Sequence, residues 1–153
     1  MTNTGQHPPE LVLGLRLPPA LGAAIAADEW RAPADRDVLE AVFADEAALP
    51  YFYGPADIER ETLSIRDTTP DYYEFFVGKP PYDIDLHQCL VIGGLGPDQP
   101  FALDYRRATT APRVLYLREV GWTEVATDIE TLMARLRIGP IPAGGWPAAN
   151  PPP

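Results

Sequence analysis

With two histidines, one cysteine and twelve basic residues in 153 positions, the chain has little material for several kinds of chemistry. A single cysteine, Cys89, excludes an internal disulfide. His87 stands two residues before Cys89, so on a strand the two would share a face and could begin a metal or thiol–imidazole site. Nothing completes that site, because the only other histidine is His7 and there is no second thiol. No metal, no cofactor and no catalytic set is therefore expected, and Cys89 reads as a small apolar thiol in a buried strand. No run of eighteen apolar residues occurs, so no segment reads as a membrane span. The opening MTNTGQHPPE has neither a basic region nor an apolar stretch, which argues against a secretory signal and for a cytoplasmic protein.

The scarcity of basic residues is one-sided. Twenty-two acids against twelve bases leave a formal net charge of −10. A field of that sign repels phosphate backbones and anionic membranes and draws in basic partners, so neither direct nucleic-acid binding nor membrane association is expected. The same charge also serves solubility alone. A chain of 153 residues is one domain's length and long enough to bury roughly 70% of the surface its unfolded form exposes. No internal repeat points to a solenoid.

The clearest succession of elements runs from Leu86 to Leu136. Cys89 to Ile92 is an unbroken apolar run closed by Gly93 and Gly94, the pattern of a strand buried on both faces. Phe101, Leu103 and Tyr105 then alternate with Ala102, Asp104 and Arg106, and Val114 to Leu117 forms a third run. Short connections make these three an antiparallel meander. Gly93, Gly94 and Gly96 invite a phosphate-loop reading, but Pro97, Asp98 and Pro100 lead into a strand and not a helix, so a hairpin turn needing positive φ fits better. After Trp122 the period changes: Val125, Ile129, Leu132, Met133 and Leu136 form one helical stripe, which should lie across the meander. Thr127 with Glu130 offers a capping box, Arg135 and Arg137 suit the helix C-terminus, and Gly139–Pro140 supply the stop.

Upstream, Met1–Pro9 reads as a loose tail and Leu11–Leu17 as a short strand or the remnant of a helix. Pro18 and Pro19 can open a short helix with Leu21, Ile25 and Trp30 inward, and Asp35–Phe43 is a better one with Val38, Leu39, Val42 and Phe43 as its stripe. Leu49–Tyr53 is aromatic. Pro55 starts a brief helical segment, Ala56–Arg60, and strands are expected at Glu61–Arg66, from alternation, and at Tyr72–Val77, from β propensity. Lys79–Asp85 reads as an exposed loop. The fold class expected is α+β: a single domain over 10–139, its twisted, mainly antiparallel sheet of about five to six strands backed by helices. The tail 140–153, PIPAGGWPAANPPP, has little to bury.

At LVIGGLGPDQPFALDYR, PRVLYL and GWTEVATDIETLMARL, in this order, the chain resembles the second half of the SMI/KNR domain family of the SUKH superfamily, and LRLPPAL near the start is similar to that family's LP segment. The resemblance implies an α+β domain without catalytic residues. Bacterial members are mostly immunity proteins that bind a cognate toxin domain, and fungal relatives are scaffolds. It also implies structural parts for Asp104, accepting hydrogen bonds from a nearby turn, and for Trp122, packing under the last helix. A nuclease toxin is commonly basic, which gives the acidity a use, so the expected partner is a basic, nuclease-like toxin domain and the expected state a monomer or weak homodimer.

The expected partner-binding residues are Asp71, Tyr72, Tyr73, Glu74, Tyr82, Asp83 and Asp85, aromatic anchors mixed with acids over one strand and one loop. Acid pairs such as Asp83 with Asp85 or Glu59 with Glu61 would suit acid–base chemistry, and a small hydrolase is the third expectation after immunity protein and scaffold.

Overall fold

A computed structural model describes residues 10–141 and 143–146. Met1–Pro9, and 142 and 147–153 of the expected C-terminal tail, lie outside the described residues. A small hairpin comes first, β1 (Leu11–Val12) against β2 (Leu15–Arg16). Helix α1 (Pro19–Ala26) follows with Pro19 in its first turn, and α2 (Arg36–Phe43) is capped by Asp35, whose carboxylate accepts the Asp37 N–H at 3.0 Å. Then come β3 (Tyr51–Phe52), α3 (Pro55–Arg66), α4 (Pro70–Val77), β4 (Cys89–Gly94), β5 (Pro100–Asp104), β6 (Arg113–Arg118), β7 (Gly121–Ala126) and α5 (Ile129–Arg135). Strands β3 to β7 pair in chain order, all antiparallel, as one five-stranded sheet.

The sheet is covered on both faces, which is why its strands read as apolar runs. Successive side chains of a strand point to opposite faces. Leu90, Ile92, Phe101, Leu103, Val114, Tyr116 and Val125 join Leu21, Leu39, Phe43, Ile129, Leu132 and Leu136 in one core under α1, α2 and α5. Cys89, Val91, Ala102, Leu115, Leu117 and Trp122 face the other way, with Ile65 of α3 and Phe76 and Val77 of α4. The architecture is α+β, with α5 on the sheet as its stripe predicts.

Two expected strands are helical. Glu61–Arg66 continues the helix begun at Pro55, because Ile58 and Thr62, one turn apart, are both buried while Leu63, which the alternation pointed inward, is exposed. Asp57 pairs with Arg60 one turn on, at 2.8 Å, in support of the helical form. Tyr72–Val77 lies in α4: Pro70 stands at the first turn, Asp71 follows at the positive end of the helix dipole, and Gly78 closes it. The strand count nevertheless holds, because β3 and β7 take the two places. Val125 fits a helical and a strand period equally; a register shift opposite Val114/Leu115 lets Val125 and Ala126 both be buried on β7. Helix α5 accordingly starts later. Its cap is Asp128, accepting the Thr131 N–H at 2.8 Å, and not a Thr127–Glu130 box.

Candidate functional site

None of the eight residues of α4 is buried. Phe76 and Val77 pack partly on the sheet, while Tyr72, Tyr73 and Phe75 are 60%, 53% and 47% exposed. Asp71 and Glu74 on the same helix are exposed carboxylates. Tyr82, 44% exposed, follows in the loop after Gly78 and lies against Gly121, whose chain neighbour Val120 is exposed. The Gly121 φ is +120°, and a Cβ there would meet the Tyr82 carbonyl oxygen at 2.4 Å.

This surface is held from below by Trp122. Its indole N–H donates to the Phe76 carbonyl at 2.7 Å, and its backbone N–H to the Tyr82 carbonyl at 2.8 Å. The Ile84 N–H donates to the Val77 carbonyl at 2.9 Å. Two C-terminal carbonyls of α4, which a helix leaves without partners, are thereby satisfied. Trp122 thus packs under α4, on the opposite face of the sheet from α5, which corrects the expectation that it lies under the last helix. Its side chain alternates with those of the α5 face along β7, so its side of the sheet is fixed by register.

The seven expected binding residues divide into two groups. Asp71, Tyr72, Tyr73, Glu74 and Tyr82 are exposed on one helix and the loop after it. Asp83 and Asp85 are half-buried and engaged within the chain. Asp83 pairs with Arg106 at 3.4 Å, and its carbonyl accepts from the same guanidinium at 2.8 Å. Asp85 accepts the His87 N–H and the Gln88 amide, both at 2.9 Å, and these bonds hold its carboxyl below the usual carboxylate range. Sequence reasoning missed Phe75 and Val120; the helical period of PDYYEFFV, with Phe76 and Val77 turned inward, is the signal for Phe75.

Asp104 is 0% exposed and accepts from the Arg106 N–H at 3.1 Å, the Arg106 side chain at 3.0 and 3.2 Å and Arg113 at 2.8 Å. Burial pushes its carboxyl up, but the hydrogen bonds of the two arginines outweigh burial and hold it below the usual range. Arg106 therefore ties the end of β5 to the loop that carries Tyr82.

None of the three glycines has a positive φ, which corrects the expectation of a turn that needs one there. Gly93 and Gly94 lie within β4, and the positive φ of the β4–β5 turn, 59°, belongs to Asp98. A Cβ on Gly93 would sit 2.4 Å from the Phe101 ring and 2.5 Å from the Tyr51 carbonyl oxygen, so the short edge strand and the core ring approach only because the side chain is absent. A Cβ on Gly96 would meet the Gln99 side chain at 2.6 Å.

The remaining candidates separate. Cys89 is buried and its thiol pushed up to about 12 by that burial, while His87 is exposed, so the two form no thiolate–imidazole pair. Among the described residues no group of three or more His, Cys, Asp or Glu could hold a metal ion. No helix of the described residues is long and apolar enough to cross a membrane. Glu59 and Glu61 are two apart on α3 and so do not face each other; Asp57 and Glu61, a full turn apart, do.

A concavity of about 650 Å³ opens between α3 and the β3 edge, with Tyr51, Tyr53, Asp57, Glu61 and Phe76 among its walls. Burial, then the negative field of Glu61, Tyr51 and Asp57, raises the Tyr53 phenol above its usual value. No family model, no curated protein and no solved structure matches the chain.

Proposed function

We propose that the chain is an immunity protein: it binds a basic toxin domain stoichiometrically and covers that domain's active or substrate-binding site, without chemistry of its own. The observation that carries this reading is α4, a helix whose three outward aromatics are exposed beside Asp71 and Glu74. Aromatic side chains offer large contact area at small entropic cost and dominate interface energetics, while a folded monomer has little reason to leave three together in water. Trp122 and the Tyr82 loop hold the helix before any partner arrives, which lowers the ordering cost of association.

Charge selects the partner. Asp71 and Glu74 on the face, within a chain of net charge −10, steer a cationic surface toward it and repel polyanions. The resemblance of Leu86–Leu136 to the SMI/KNR pattern supports the same reading, and a cytoplasmic, monomeric protein would suit it. The alternative use of this face, as a scaffold domain for a cellular protein, differs in partner and not in mechanism.

Co-expression with the C-terminal domain of a toxin-like protein encoded beside this chain tests the proposal. Survival of the host, with a complex that co-purifies at low salt and weakens at high salt, is the expected result. Neither rescue nor complex would move the weight to the scaffold use.

A further inference from the structure

The groove beside β3 has walls of opposite character. Tyr51 on β3 and Tyr53, the residue just past its end, whose N–H still donates to the Ile92 carbonyl, lie with their rings 6.2 Å apart and 14° from parallel. Phe52 between them points the other way and packs tilted against Trp30 and edge-to-face on Phe101 in the core, so the strand anchors the two tyrosines from behind. Facing them on α3 are Asp57 and Glu61. Arg60 bridges both acids, at 2.8 and 3.4 Å, with a side chain 68% exposed. Asp98 also lines the groove, so three carboxylates and one guanidinium give its walls a net charge of −2.

From this geometry we infer that the groove receives an arginine side chain of the partner protein. Its guanidinium lies on the tyrosine faces and donates hydrogen bonds to Asp57 and Glu61 in place of Arg60. A planar cation satisfies both walls at once: it stacks on an aromatic ring and presents a fork of donors to carboxylates, which an ammonium does not. The acids already hold one guanidinium, on a side chain exposed enough to be displaced. The inference rests on the proposed function insofar as it takes the occupant from a basic protein.

The test is titration of the isotope-labelled full chain with arginine capped at both ends, and with equally capped lysine and citrulline, following backbone amide shifts. Arginine should give saturable shifts confined to 51–64 and the 94–100 turn, lysine at least about five-fold weaker binding, and citrulline, which lacks the charge, none. Glu61→Gln and Tyr51→Ala, both at partly exposed positions, should each weaken arginine binding roughly ten-fold with unchanged melting, while Arg60→Ala, by removing the competitor, should strengthen it. Shifts spread over the acidic surface, or binding indifferent to Glu61→Gln and Arg60→Ala, would overturn the inference. The two readings fail separately. Arginine binding here without any toxin complex removes the immunity function and keeps the slot; a toxin complex indifferent to Glu61→Gln and Tyr51→Ala keeps the function and removes the slot.

Discussion

The hydroxyl of Thr62 accepts the backbone N–H of Val91 at 2.9 Å, so that a helix side chain closes the sheet edge where β3 has run out. Strand β3 has two residues and pairs only with Gly93 and Gly94, with one further bond from the Tyr53 N–H to the Ile92 carbonyl. Beyond that point the edge of β4 would bury an unpaired amide, and Thr62, 1% exposed, supplies the acceptor.

Thr62→Val keeps the shape and deletes the acceptor. The Val91 amide is then buried without a partner, at a cost of about 1–3 kcal/mol, while Thr62→Ser should lose less. Equilibrium denaturation of the three proteins checks this; equal midpoints would mean that the bond is immaterial.

Asp104 sets a pH dependence. Its folded pKa is depressed, so the stability it contributes is present above the ordinary value of 3.8 and is lost as pH falls through the lower folded value. Asp104→Asn should therefore lower the melting temperature at neutral pH and narrow the difference between neutral and acid. A variant melting curve that keeps the full acid dependence of the parent contradicts that assignment.

Much of this fold was legible in the sequence, and the parts that were not have identifiable physical causes. The strands β4, β5 and β6 were visible because a sheet buried on both faces leaves short apolar runs at Cys89–Ile92 and Val114–Leu117, bounded by glycine and proline. Helix α2 was visible from Val38, Leu39, Val42 and Phe43. Glu61–Arg66 misled because Leu63 and Ile65 alternate over a stretch too short to separate period 2 from period 3.6, and the deciding inward residue, Thr62, is polar. Tyr72–Val77 misled through propensity: aromatic residues favour strands because strands bury them, and here burial is what they lack. The binding face was legible in composition and wrong in form. Asp83 and Asp85 belonged to it in sequence, but the Arg106 guanidinium and the His87 amide that engage them come from outside the stretch that suggested them or from its turn geometry.

Trp122 couples α4 to the sheet. Trp122→Phe keeps the ring packing and removes the indole N–H that holds the Phe76 carbonyl, so amide exchange should quicken selectively over 70–77 while the β4–β6 amides keep their protection. Uniform acceleration across the sheet would mean that the bond supports the whole fold and not α4 in particular.

The measurement that reaches the central claim is calorimetric titration of the partner domain with the parent chain and with the double variant Tyr72→Ala/Tyr73→Ala. Two interface tyrosines of hot-spot weight predict an affinity loss of roughly a hundredfold or more, with the melting temperature unchanged because neither side chain is buried. As a control, Leu11→Ala/Leu49→Ala, exposed apolar residues elsewhere on the surface, should leave the affinity as it was. A double tyrosine variant that binds as tightly as the parent would contradict the account.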